Sequence, residues 1–299
     1  AALKAEAIAA IRPAATVILL RDRQDGPYEI FLMRRHRNQA FMGGAYVFPG
    51  GRLDEGDGHP DLLAHIHGLA PEALAGRLQE PSLPSETALG LHLTAIREMF
   101  EEAGVLLAVD ASGAAVDFHD PETARRFAAY REVLHRGEMT LRDLAAREGL
   151  RFALDLLLPY AHWMTPEIES KRFDTRFFLA RLPAGQRPVH DEAELTASVW
   201  MTPSRALDEH QAGRIVLMPP TLKTVEELAA YRTTGALFDA VNGRAIPPIL
   251  PQPFAPEGEF GVKLPFDPEY TIEAFKLPPR PGETCRIVTC KGIWKTATA

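Results

Sequence analysis

The chain predicts an α/β fold, a sheet carrying helices, and three observations lead there. Two strand-length apolar runs flank a turn near the start; one long stretch of helical periodicity follows; strand and helix signals then alternate as far as residue 231. In order, residues 14–21 (AATVILLR) and 28–34 (YEIFLMR) read as strands, and the intervening DRQDGP is rich in turn formers, which makes a hairpin. Residues 45–48 (AYVF) form a third short extended run. Pro49-Gly50-Gly51 then marks a tight loop, because that sequence neither continues a strand nor opens a helix cleanly.

Residues 58–92 are broken by Pro60, Pro71, Pro81 and Pro84, and read as an inserted helical or irregular excursion. From Thr87 to Ala103 the spacing is helical: Leu89, Leu93, Ile96 and Phe100 make one apolar stripe, and Gly104 stands where a helix stops. Residues 121–136 and 140–148 read as amphipathic surface helices, and 173–182 and 196–201 as strands. Thr202 and Pro203 supply the N-cap and first turn of a helix over 203–212, and 221–231 makes another. From about residue 245 to 299 the chain is proline-rich and reads as a wrap over the rest, with CRIVTC as one strand. Residues 1–299 read as a single elaborated domain without internal repeats.

Composition removes several function classes. Of 299 residues, 46% are apolar and 24% charged, ordinary for a globular chain and against large-scale disorder. A formal charge of −7 argues against a broad basic surface, so no stable nucleic-acid partner is expected. No apolar run approaches a membrane span, and the N-terminal stretch lacks a long uninterrupted apolar core, so neither a membrane segment nor a signal peptide is expected. The two cysteines, Cys285 and Cys290, fall on opposite faces if CRIVTC is a strand, and both read as reduced thiols. Low cysteine use fits a reducing compartment, and the expected location is cytoplasmic.

Chemistry concentrates in Arg97-Glu98-Met99-Phe100-Glu101-Glu102-Ala103-Gly104-Val105. At roughly 100° per residue, Glu98, Glu101 and Glu102 crowd one face of the helix. Such like charges repel by a few tenths of a kcal/mol per pair, and anions near a helix C-terminus oppose its dipole. A hard divalent cation reverses the sign of that repulsion, and Mg²⁺ or Mn²⁺ couples such carboxylates to phosphate oxygens. Taken alone the segment is equally a solvated acidic face; the loop Phe48-Pro49-Gly50-Gly51-Arg52-Leu53-Asp54-Glu55-Gly56-Asp57 shifts the balance.

Together these segments resemble the Nudix box: a Gly, five residues, a Glu, seven residues, then R-E-U-x-E-E-x-G-U with U bulky and apolar. Arg97, Glu98, Met99, Glu101, Glu102, Gly104 and Val105 match the second half; Gly51 and Asp57 match the first, with Asp in place of Glu. The departure is the spacer, 39 residues between Asp57 and Arg97. Closure entropy grows only logarithmically with loop length, so the two halves can still meet. FLMRRHRNQAFMGGAYVFPGGRLDEGD, the long insertion, RFDTRFFLA and VWMTPSRAL narrow the resemblance to the coenzyme A diphosphatases of the Nudix motif 19 type, over roughly residues 13–230.

The resemblance implies an α/β/α Nudix sandwich with a mixed sheet, the glutamate helix against one face, and added helices from the insertion and from 121–148. It implies a Mg²⁺ or Mn²⁺ enzyme that splits coenzyme A or acyl-CoA into 3′,5′-adenosine bisphosphate and 4′-phosphopantetheine. Other readings are a pyrophosphatase of ADP-ribose, NADH or another dinucleotide, and a non-catalytic nucleotide-binding Nudix module, against which the full set Glu98, Glu101 and Glu102 argues. By the resemblance Glu98 and Glu102 are metal ligands, Glu101 is a ligand or base, and Gly51 gives its backbone carbonyl. Arg97 pairs with a box carboxylate and orients it; Asp57 reaches one methylene less far than Glu. The attacking water also needs a base, in the box or on a later loop: Glu194 first, then Glu192 or Glu167. Arg34, Arg35, His36 and Arg37 form a basic run which, with Arg52, either holds substrate phosphate or is solvated. His162, Trp163 and Phe41 stack on adenine or, for Trp163 and Phe41, fill core. His59, His65 and His67 lack a second pair for zinc. The partner expected is a small nucleotide-containing molecule, and a homodimer is compatible with the sequence.

Overall fold

Successive residues of the strand Ile11–Arg21 are buried on both sides, which requires a central position with helices on either face. This computed structural model of the chain describes residues 9–36, 43–188, 195–255 and 259–299. Strands β1 (Ile11–Arg21), β2 (Glu29–Arg35), β3 (Tyr46–Val47) and β4 (Gly50–Arg52) come first. β5 (Ile66–His67) and α1 (Leu74–Arg77) lie in the excursion, followed by α2 (Ser85–Ala103), β6 (Ala108–Val109), α3 (Pro121–His135), α4 (Leu141–Glu148) and β7 (Arg151–Ala153). Then come β8 (Leu158–Met164), β9 (Arg172–Arg181), β10 (Leu195–Met201), α5 (Pro203–Gln211), α6 (Pro219–Leu228) and α7 (Thr234–Val241). The last elements are β11 (Pro248–Ile249), β12 (Gln252–Phe254), β13 (Gly261–Lys263), β14 (Arg286–Cys290) and β15 (Ile293–Ala297).

The main sheet runs β10-β2-β1-β9-β8-β11, with β3 on β2 and β4 on β1. It is mixed: β1 and β9 are parallel from Ile11↔Arg172 to Leu20↔Arg181, whereas β1–β2 and β8–β9 are antiparallel. Strand alternation then sorts the core. Ala15, Val17, Leu19, Phe31, Met33, Phe178 and Ala180 face α2, α3 and α4. Ile18, Leu20, Ile30, Leu32, Phe177 and Leu179 pack instead with residues of α5, α6 and α7. The expected α/β/α layering and mixed sheet are present. Among the described residues, no helix is long and apolar enough to cross a membrane.

Several elements differ from expectation, among them the helix α7 and the short strands β5, β6, β7 and β11, which the sequence did not show. Gly50 and Gly51 do extend a strand: Thr16↔Gly50 and Ala15↔Gly51 pair antiparallel in β4. A Cβ on Gly50 would meet the Ala15 carbonyl oxygen at 2.5 Å, so the close approach that fits this strand beside β1 needs glycine. Helix α2 starts at Ser85, two residues before Thr87, and takes its first turns from the excursion. The strand β8 went unread because Pro159 interrupts it; the proline sits at a register shift between Pro159 and Ala161, where no ladder donor is needed. The C-terminal segment holds a four-stranded antiparallel sheet, β12-β13-β14-β15, rather than one strand, and its Val262, Leu264, Cys285 and Ile287 enter the same buried cluster as α5 to α7. Both cysteines are free. Helices α3 and α4 are not purely superficial, since Phe127, Leu134, Leu141 and Leu144 are buried.

The excursion is tied down at its far end by a buried ionic cluster. Arg176 of β9 donates to both Glu80 oxygens, at 2.9 and 2.5 Å, and reaches Asp174 at 2.6 Å. His162 pairs with Asp174 from the adjacent strand. Removing one member of such a network strands the others without compensation. Arg176→Met should therefore lower unfolding stability by about 2–3 kcal/mol, discounted for the partial exposure of Glu80. Urea denaturation reads this directly, and a loss under about 0.5 kcal/mol would show the cluster to be dispensable.

Candidate active site

Helix α2 carries more buried surface than its single apolar stripe suggested. Besides Leu89, Leu93, Ile96 and Phe100, it buries Leu91, Ala95 and Met99. The sheet covers one side, and the turn Glu55–Gly58 covers another, where a Cβ on Gly90 would lie 3.3 Å from the Gly58 nitrogen. Its C-cap is Gly104, left-handed at φ 68°, which stops the helix where the sequence placed the stop.

That packing brings Gly50-Gly51 and the carboxylates together across the excursion. The Gly50 N–H donates to Glu102 Oε2 at 2.8 Å. The Glu98 carboxylate lies so close over Gly51 that a Cβ there would fall 2.3 Å from Glu98 Oε1. Arg97 ties the two segments. Its Nε and Nη2 donate to the two oxygens of Asp57 at 2.8 and 2.9 Å, its Nη2 also to the Arg52 carbonyl at 3.0 Å. Its Nη1 donates to Glu98 Oε1 at 2.8 Å and Glu101 Oε1 at 3.4 Å. Asp57, 3% exposed, also accepts from Thr94 Oγ1 at 2.8 Å and the Asp54 N–H at 3.0 Å. The Asp that stands for Glu thus reaches its partner in full, because the short helical turn carries its backbone against α2.

Electrostatics follow from burial. Desolvation pushes the Glu98 carboxyl up to about 7, against the pull of Arg97, with Glu101 adding to the rise. Desolvation raises Glu101 as well, opposed by Arg97 and His135. For Arg97, burial disfavours the charge, but Asp57, Glu98 and Glu101 outweigh it and raise its pKa. One guanidinium therefore faces Asp57 and two glutamates of the box, Glu98 and Glu101.

A family model described as the NUDT19 Nudix domain matches residues 9–228. The chain belongs to this Nudix family. Among its relatives, a Xenopus laevis protein named acyl-coenzyme A diphosphatase NUDT19 is 26% identical, over 73% of this chain and 64% of the relative. The Homo sapiens protein of the same name is 30% identical, over 73% and 65%. With that of Gallus gallus included, the chain spans 64% to 66% of the length of these curated relatives. The crystal structure of a Nudix hydrolase from Alicyclobacillus acidocaldarius superposes with a TM-score of 0.62 at 27% identity, covering 78% of this chain and 97% of that one.

Nudix hydrolases generally need divalent cations, and the residues of this box fit one. Glu98, Glu101, Glu102 and the Gly51 carbonyl offer only hard oxygen donors, and two of the carboxylates are desolvated beyond what Arg97 offsets. Among the described residues, no three His, Cys, Asp or Glu side chains yet converge on one point.

The remaining expected residues are more scattered. Arg34 and Arg35 end β2, opposite Ala197 and Leu195 of β10. The Arg34 Nε is buried and finds no acceptor among the described residues. Arg52 follows Gly51 directly, is mostly exposed, and pairs with Asp54 at 2.9 Å. Glu167 is exposed on the turn between β8 and β9. Arg37, Phe41, Glu192 and Glu194 lie outside the described residues. Trp163 is core, 4% exposed, and His162 belongs to the Asp174 cluster, so neither is placed to stack on adenine. His59 pairs with Asp61, and His65 with the Leu150 carbonyl. Sequence reasoning missed Thr94; its place three residues before Arg97, on the same helix face, was the available signal.

Two outcomes test this geometry. A Cβ at Gly50 meets backbone, whereas one at Gly51 meets the end of a flexible side chain. Gly50→Ala should lower the melting temperature by several degrees and Gly51→Ala by much less; equal losses would contradict the placement of Glu98. The second outcome concerns pH. Because the folded Glu98 carboxyl is raised, the native chain keeps a proton that the unfolded chain releases near 4.5; this stabilisation is complete below that value and lost as pH climbs through about 7. In chelator, the unmodified protein should lose stability relative to Glu98→Gln across that window, and parallel profiles would remove the buried carboxylate from the account.

Proposed function

We propose that the chain is a Nudix pyrophosphohydrolase dependent on Mg²⁺ or Mn²⁺, acting on coenzyme A or acyl-CoA to release 3′,5′-adenosine bisphosphate and (acyl-)4′-phosphopantetheine. The observation that carries this reading is the convergence of Glu98 and Glu102 on Gly50-Gly51, locked by Arg97 on Asp57. The substrate class is supported by the names of relatives at 26% and 30% identity.

Gly51 through its carbonyl, Glu98, Glu101 and Glu102 would hold the cation. When bound, it supplies charge neutralisation on the pyrophosphate and lowers the pKa of an attacking water. Arg97 touches no reacting atom; it fixes the directions of Glu98 and Glu101. The water oxygen forms the new bond to one phosphorus while the bridging P–O bond breaks, and the bridging oxygen leaves with the other phosphate. The water's proton passes to Glu101 or to an acid outside the box, with Glu194 first and Glu192 and Glu167 next. Arg34, Arg35, Arg37 and Arg52 bind substrate phosphates, as the bidentate reach of arginine toward such groups allows. The free thiols support a cytoplasmic location.

A panel of coenzyme A, acyl-CoA, ADP-ribose and NADH, with Mg²⁺ or Mn²⁺ and with chelator, tests the reading. Adenosine bisphosphate should appear from the first two substrates and vanish with chelator. Brisk ADP-ribose cleavage without coenzyme A turnover would replace the substrate, and turnover in chelator would remove the metal. Glu102→Gln keeps an oxygen for the Gly50 N–H, so it should fold normally yet lose on the order of a hundredfold in kcat. Near-normal turnover would take Glu102 out of the site.

A further inference from the structure

Helix α2 ends where its carboxylates stand, and that end is electrostatically the wrong one. Its last carbonyls have no partner within the helix, and the dipole adds partial negative charge beside two acids. Of the last four carbonyls, that of Phe100 is taken by the Gly104 N–H. The next two are taken by a residue from another helix: Arg131 Nε donates to the Glu101 carbonyl at 2.7 Å and Arg131 Nη2 to the Glu102 carbonyl at 2.9 Å. A cation thus sits on the backbone of the very residues whose side chains form the site.

Helix α3 is built to hold Arg131 there. Asp120 caps it by accepting from the Thr123 N–H at 2.8 Å. Phe127, Arg131, Leu134 and His135 share one stripe, at i, i+4, i+7 and i+8. Phe127 packs edge-on against Phe100 of α2 with ring centres 6.4 Å apart. On its other side, Arg126 and Tyr130 bond to Glu148 of α4 at 3.0 and 2.8 Å. The guanidinium is thereby fixed relative to α2 by packing in front and polar contacts behind.

We infer that Arg131 is a positioning residue for Glu101 and Glu102, acting through their main-chain carbonyls to keep the last turn of α2 wound and both carboxylates aimed. The inference rests on the proposed function only for what those carboxylates hold. It gives helices 121–148 a task in the site beyond the one side chain they place beside it, His135, whose Nδ1 lies 3.9 Å from Glu101 Oε2.

The test compares Arg131→Met and Arg131→Lys with Leu134→Ala, which weakens the packing of α3 without touching the carbonyls. Two readouts need no turnover: amide hydrogen exchange at residues 102–104, and binding of Mn²⁺ alone followed by electron paramagnetic resonance. Arg131→Met should speed exchange in that turn and weaken Mn²⁺ binding, each by about tenfold, and lysine should restore part of both. Leu134→Ala should lower the melting temperature and leave Mn²⁺ affinity within about twofold. Unchanged exchange in Arg131→Met, or equal effects from Leu134→Ala, would overturn the inference. An unmodified protein that takes up no Mn²⁺ would instead sink the proposed function, while the exchange data still decide the role of Arg131.

Discussion

The ion pair between Asp57 and Arg97 joins two segments that the chain separates by 39 residues, and the site depends on it. Burying two charges costs more than their attraction returns unless every remaining donor and acceptor is used. Here they are used: Asp57 accepts from Thr94 and the Asp54 N–H, and Arg97 spends its other N–H groups on Arg52, Glu98 and Glu101. The pair is therefore better understood as fixing geometry than as adding stability. It holds the glycine corner against the helix, and its guanidinium offsets the charge of Glu98 and Glu101, two of the three carboxylates crowded on that face.

The parts legible in the sequence were those whose signal is local. The hairpin of β1 and β2, the Gly104 stop, and the Thr202 cap before Pro203 each follow from neighbouring residues, and each stands where expected. Glu98 and Glu102 beside Gly50-Gly51 were legible only through the spacing of the box, because nothing local says that residues 51 and 98 touch. The rest failed for physical reasons. Pro159 masks a strand because a bulge absorbs it; β12 and β13 are three residues each, too short for any period to show. Arg131 was illegible because its partners are backbone atoms of another helix, which carry no sequence identity.

The sheet separates two tasks. The face toward α2, α3 and α4 carries the carboxylates and their supports. The opposite face buries α5, α6, α7 and one side of the C-terminal sheet. Both faces share β1, whose backbone pairs with Gly50 and Gly51 while its alternate side chains fill the two cores.

The long excursion also bears on the order of assembly. The Gly50–Glu102 contact closes a span of 52 residues, whereas the first hairpin and the α3–α4 pair involve near neighbours. Contacts of such high sequence separation repay their closure entropy only after the local pieces have formed. The glycine corner and the acidic turn therefore meet after those local pieces, yet across a far shorter span than the parallel pairing of β1 with β9, whose partners Ile11 and Arg172 lie 161 residues apart (172 − 11), so the two halves of the centre can join before the sheet is complete.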